Sequence, residues 1–133
     1  MAHETETMDS TTIKQMAHAY IVNTYGDRSL AIVRGEGATL WDADGHEYLD
    51  FFAGIAVASL GHCHPAVTRA LQDQAATLLH VSNLYYTEPQ ALLAKVLCEN
   101  SFAEKWFFCN SGAEANEAAI KLARRYWVQQ KNP

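Results

Sequence analysis

The 133-residue chain has little of several things that usually betray a function. Its three cysteines, Cys63, Cys98 and Cys109, are odd in number and widely spaced, which excludes a disulfide framework and implies reduced, mostly buried thiols. No apolar run reaches the ~20 residues that a membrane helix needs; Phe51 to Leu60 comes closest and is short and rich in small residues. The opening MAHETETMDS lacks both a basic and an apolar segment, so a secretory leader is not expected, and a cytoplasmic setting is. Base is also scarce. Ten Lys and Arg stand against fifteen Asp and Glu, a formal net charge of -5, which argues against nucleic acid as a partner because phosphate neutralisation needs clustered base.

Metal and acid–base patterns are equally thin. His62-Cys63-His64 has no second ligand pair at site-like spacing, so no metal is expected, and the two histidines are read as capping or packing around the helix that follows. Glu36, Asp42, Asp44 and Asp50 fall mostly at turns or strand ends, where carboxylates cap or are solvated. Cys109 has no base placed beside it by sequence and reads as an inert thiol. Trp41 and Trp106 read as core aromatics.

What is present is a globular composition, 49% hydrophobic and 19% charged, with clear local punctuation. Residues 1–8 are polar and expected to fray. Asp9 or Ser10 can cap a helix running to about Val22. Short strands are predicted at Leu30–Val33, Ala38–Trp41 and Glu47–Asp50, with Gly35 and Gly37 marking a reversal or bulge and Asp42-Ala43-Asp44-Gly45 a turn. Together they make a small antiparallel meander. Pro65 opens a helix carrying Val67, Ala70, Leu71, Gln74 and Leu78. Thr87-Glu88-Pro89-Gln90 reads as a capping box for a helix to about Asn100.

Lys105 to Cys109 is apolar without alternation, the pattern of a strand inside a parallel sheet covered on both faces. Asn110-Ser111-Gly112 then turns into a helix from Ala113 to about Gln130, with Ala115, Ala118, Ala119, Leu122 and Tyr126 as its buried stripe and Glu117 paired with Lys121 outside. At the start of this helix two readings stand side by side. Ser111-x-x-Glu114 is an ordinary capping box. Alternatively, free amides at a helix start, a glycine with no Cβ and a serine hydroxyl make a nest for one phosphate. The segment is neither a P-loop nor a GxGxxG turn.

Five strings, in order, resemble the class III aminotransferases of PLP fold type I: RGEG at Arg34–Gly37, LWDADGHEYLDF at Leu40–Phe51, GHCHP at Gly61–Pro65, SNLYYTEPQ at Ser82–Gln90 and FFCNSGAEANEAAIKLAR at Phe107–Arg124. Within that family the likeness is greatest to the acetylornithine enzymes. It implies an α/β fold, here the incomplete N-terminal part of fold type I: an antiparallel meander followed by the opening helices and strand of the large domain. Residues 1–60 would belong to the small domain, and 61–133 to the start of the PLP-binding large domain.

The resemblance also implies pyridoxal 5'-phosphate as cofactor, with Ser111, Gly112 and Ala113 holding its phosphate. Tyr25 and Ile55 would line the substrate pocket; ornithine enzymes carry a tyrosine at the place of Ile55. Asn83, Leu84 and Tyr85 would border a homodimer interface and the neighbouring active site. The implied reaction is transamination of N2-acetylornithine with 2-oxoglutarate, giving N-acetylglutamate 5-semialdehyde and glutamate, as in arginine biosynthesis. Ornithine, succinylornithine and 4-aminobutyrate remain alternative donors. The family's Schiff-base lysine belongs to a later segment, and Lys121, more than two turns along its helix from Gly112, does not replace it. The chain is thus expected to hold no catalytic residue and to be an inactive fragment by itself. It departs from the acetylornithine pattern after Tyr25-Gly26, reading Asp27-Arg28-Ser29 where many relatives read Arg-Phe-Pro.

Overall fold

A computed structural model describes residues 8–131. The reading of residues 1–8 as a frayed lead falls outside them for residues 1–7. The chain divides into two compact units, one ending at Leu79 and the other beginning at His80.

In the first unit, helix α1 spans Ser10–Tyr20. Asp9 starts it, its carboxylate accepting from Thr12 N–H at 2.7 Å. The meander follows as β1 (Ile32–Glu36), β2 (Thr39–Asp42) and β3 (Glu47–Leu49), antiparallel in the order β1-β2-β3. Each strand forms within two or three residues of its expected place. The register pairs Glu36 with Thr39 and Arg34 with Trp41, with an irregularity between Ile32 and Arg34. The bulge therefore falls before Gly35, and Gly37 (φ 55°) makes the tight reversal. The Arg34 guanidinium lies 3.4 Å from the Trp41 ring centroid, so this tryptophan is shielded by a cation and is not enclosed in a core.

Beyond β3 the backbone does something that no periodicity rule anticipates. The single turn α2 (Ala53–Ala56) has positive φ throughout: Ala53 48°, Gly54 62°, Ile55 60° and Ala56 63°. Left-handed backbone costs roughly 1–2 kcal/mol per residue that carries a Cβ. Only Gly54 escapes that cost, so neighbouring contacts must hold the turn. Helix α3 (Pro65–Thr77) follows, with proline in its first turn as expected.

The second unit contains a 3-10 turn (Ser82–Leu84), α4 (Glu88–Glu99) and α5 (Gly112–Lys131). Thr87 occupies the N-cap position of α4, but its side chain makes no capping bond, so the expected box does not close. The expected strand at Lys105–Cys109 is absent as well. A strand is defined by a ladder, and no described segment pairs with this one.

Burial is slight in both units. Among the described residues Ala31 is the one buried hydrophobic, beside the buried polar Ser10 and Asp42. The anticipated stripe of α5 is open, with Leu122 and Tyr126 exposed, and Trp106 is not enclosed. Cys63 and Cys109 are exposed and Cys98 is half-buried, contrary to the expectation of buried thiols. The reason is common to all. A helix stripe or an apolar strand is buried only against a second layer, and each unit supplies little more than one. No helix among the described residues is long and apolar enough to cross a membrane.

Candidate functional site

The helix start at Ser111–Ala113 shows the capping bonds directly and leaves donors beside them unengaged. Ser111 Oγ accepts from Glu114 N–H at 3.2 Å, and Glu114 Oε2 accepts from Asn110 N–H at 2.6 Å. This is a capping box shifted by one residue on its return bond. It leaves the Ser111 hydroxyl proton free. The N–H groups of Gly112 and Ala113 have no partner among the described residues, as the first amides of a helix require. A Cβ built on Gly112 meets nothing within 4 Å. The Cβ side of Gly112 is therefore open, and the helix mouth beside it carries two amides and a hydroxyl, with the positive end of a long helix dipole behind them. That donor set suits a phosphate monoester.

An open groove of about 540 Å³ runs alongside, between Phe107–Asn110 and the α5 face bearing Ala113, Glu117 and Lys121. Glu114 and Glu117 line it, so its flank suits an anion poorly and the helix mouth suits it well. Lys121 Nζ pairs with Glu117 Oε1 at 2.7 Å, the expected outer-face bridge. Cys109 Sγ lies 3.5 Å from Ser111 O, and no base touches it among the described residues.

The other expected residues stand on separate segments of the two units. Asn83 and Leu84 stand in the 3-10 turn and Tyr85 follows it in extended backbone, all exposed. In the first unit, Tyr25 is exposed with the Arg28 guanidinium 5.7 Å from its ring. Ile55 is 85% exposed at the crest of the left-handed turn. Ser111, Gly112 and Ala113 are consecutive and share one helix start.

Two carboxylates do more than cap a turn. Asp42 is 5% exposed and accepts four times: Oδ1 from Asp44 N–H (3.0 Å) and His46 N–H (2.8 Å), Oδ2 from Tyr48 Oη–H (2.8 Å) and His46 Nδ1 (3.1 Å). Burial pushes its pKa up, but these hydrogen bonds outweigh it and hold the carboxyl at about 2. Asp44 in turn accepts from Ser10 N–H at 3.0 Å, tying α1 to the turn. Donor atoms of Asp42, Asp44 and His46 converge within 4.8 Å, a grouping that could hold a cation elsewhere. Here both Asp42 oxygens are already engaged by donors, and the cluster serves the turn.

Asp50 is the second. Its Oδ1 accepts from Phe52 N–H (2.8 Å) and Ala53 N–H (3.0 Å), and Oδ2 from His62 Nε2 at 2.6 Å. The His62 hydrogen bond, then those from the two amides, lowers the Asp50 pKa. His62 thus anchors to Asp50 and not to the helix after it. His64 holds the N-cap position of α3 without a side-chain capping bond, and its Nδ1 has no partner among the described residues.

The sequence pattern of the family described as Aminotransferase class-III matches residues 20–133. The chain belongs to the class-III aminotransferases. It is 62% identical over 107 residues to an acetylornithine aminotransferase of Synechocystis, covering 80% of this chain and 25% of that protein. It is 58% identical over 113 residues to a succinylornithine transaminase of Yersinia enterocolitica, covering 85% and 27%. Among solved structures, the ornithine aminotransferase of Toxoplasma gondii, described with partial occupancy of PLP at its active site, superposes with a TM-score of 0.86 at 30% identity. That match covers 96% of this chain and 30% of the other. The chain thus spans about a quarter of the length of the curated relatives it matches. The fold is mixed helix and antiparallel strand of the PLP-dependent aminotransferase type.

Proposed function

We propose that this chain is the N-terminal part of a PLP-dependent transaminase that converts N2-acetylornithine and 2-oxoglutarate to N-acetylglutamate 5-semialdehyde and glutamate. The observation that carries the reading is the helix mouth at Ser111–Ala113, with two unpartnered amides, one free hydroxyl proton and open space at Gly112. These residues would hold the cofactor's phosphate, contributing affinity and orientation. The bound cofactor supplies the electron sink that transamination needs. In this reading no described residue of the chain is assigned the proton transfer or the covalent bond to the cofactor, and turnover would depend on residues outside it.

In this reading residues 1–60 belong to the small domain and 61–133 begin the large one. Tyr25 and Ile55 border the substrate. Asn83, Leu84 and Tyr85 face a second copy in a cytoplasmic homodimer. Identity of 62% to an acetylornithine enzyme supports the donor. Succinylornithine is the second reading, favoured by the 58% identity to a succinylornithine transaminase.

The test is glutamate formation from 2-oxoglutarate by the full-length gene product, given PLP and each donor in turn. N2-acetylornithine is expected to give the highest kcat/KM. No turnover with any of acetylornithine, succinylornithine, ornithine and 4-aminobutyrate, together with no visible cofactor band, removes the proposal.

A further inference from the structure

The left-handed turn at Ala53–Ala56 is the most strained segment among the described residues, and it carries Ile55. Its support comes from its own two ends. Before it, Asp50 takes the Phe52 and Ala53 amides on Oδ1. After it, His62 returns to Asp50 Oδ2 at 2.6 Å. The pair is largely withdrawn from water, with side-chain exposures of 24% for His62 and 8% for Asp50.

Both partners are fixed to the meander. Asp50 N–H donates to Ala38 O at 2.8 Å, and His62 exchanges backbone hydrogen bonds with Gly37 at 2.8 and 2.9 Å. His62 lies so close to β1 that a Cβ on Gly35 would come within 2.8 Å of its Cβ and Cγ. Gly61 (φ 91°) has the Gly37 backbone within 3.0 Å of where its own Cβ would stand. The loop between the two partners therefore has joined ends and an exposed apolar crest, the form of a compact presenting loop.

We propose that Asp50 and His62 form a positioning clamp that closes the Phe51–Gly61 loop, holds its left-handed turn and so presents Ile55 to the amino donor. The role of Ile55 rests on the transaminase reading above; the clamp itself does not. The carboxylate is suited to the task because one group serves both ends: two amides that define the turn's entry and the ring that marks its exit. Neither Asp50 nor His62 needs to touch substrate. Loss of the clamp frees the strained residues to relax toward right-handed backbone, which moves the Ile55 side chain.

The experiment uses the full-length gene product with His62→Ala, His62→Gln and Gly35→Ala. Glutamine retains an N–H donor for Asp50, whereas the added methyl at Gly35 crowds the His62 Cβ and Cγ at 2.8 Å, and Leu40 Cδ2 less closely at 3.1 Å, without altering the chemistry of either partner. In His62→Ala and Gly35→Ala, amide exchange at Phe52, Ala53 and Ala56 should rise about tenfold, with exchange in α1 unchanged. The KM for the amino donor should rise about tenfold while kcat stays within about twofold. His62→Gln should stay near wild type in both. Unchanged exchange in the loop overturns the clamp, as does a glutamine variant as impaired as alanine. Faster exchange with an unaltered KM overturns the presentation of Ile55. If His62→Ala does not fold, Gly35→Ala carries the comparison. If the wild type shows no transamination, the functional reading fails while amide exchange still decides the clamp.

Discussion

Ser111 and Glu114 brace the same helix start from opposite directions, the serine oxygen accepting Glu114 N–H at 3.2 Å while the glutamate reaches back to Asn110 N–H at 2.6 Å. The box fixes the turn, and the fixed turn aims the free Gly112 and Ala113 amides outward. Capping is observed here, and the proposed hold on a phosphate would use the same geometry. Replacing Ser111 with alanine removes a cap and a donor together. A stability loss of about 1 kcal/mol is expected by thermal melting. Loss of PLP affinity should accompany it in an absorbance titration, and a stability loss with unaltered affinity would confine Ser111 to capping.

Asp42 sets an acid limit on the meander. Its folded pKa of about 2 lies below the ordinary 3.8, so its stabilising contribution is complete above 3.8 and is lost as pH falls toward 2. Tyr48, whose pKa is raised chiefly by its hydrogen bond to Asp42, acts at the other end: its contribution is complete below 10 and fades as pH rises beyond it. Asp42→Asn should flatten the acid limb of the melting-temperature profile between about pH 2 and pH 4. An acid limb identical to wild type would mean that the four hydrogen bonds do not control the titration.

Ile55 should bear on donor choice. Ile55→Tyr in the full-length product is expected to shift kcat/KM about tenfold toward ornithine relative to N2-acetylornithine. Competition between the two donors measures the shift directly, and an unaltered ratio would place Ile55 away from the substrate.

The isolated chain should neither turn over nor stay dispersed. Phe107 is 73% exposed in a segment that no described strand pairs with, and Phe51, Tyr86 and Phe102 are more exposed still. Unpaired backbone flanked by apolar side chains promotes self-association. Sedimentation of the purified chain at rising concentration is expected to show large, heterogeneous species, and a stable active monomer would contradict this.

How much of this was legible before the structure depended on how local the cause was. Asp9 caps α1 and Asp42-Ala43-Asp44-Gly45 turns β2 into β3 because those side chains bond to backbone a few residues away. Ser111 to Gly112 was legible for the same reason. The Asp50–His62 bond joins residues twelve apart across an apolar loop, and nothing in their spacing announces it. The left-handed turn was illegible because alanine and isoleucine do not signal that backbone region, and apolar periodicity presumes right-handed helix or strand. Lys105–Cys109 reads as a central strand from its apolar faces, but a strand forms only against partners, which composition cannot supply. The expected buried stripe of α5 fails on the same non-local ground.

The central claim is that the helix mouth grips the phosphate of the cofactor. Gly112→Val tests it most directly, because a Cβ there meets nothing within 4 Å apart from its chain neighbours and its own helix backbone. The quantity to measure is the affinity of the full-length product for pyridoxal 5'-phosphate relative to pyridoxal. The preference for the phosphorylated form should fall about tenfold or more in the valine variant, with no loss of melting temperature. A preference unchanged by valine at this position would contradict the account.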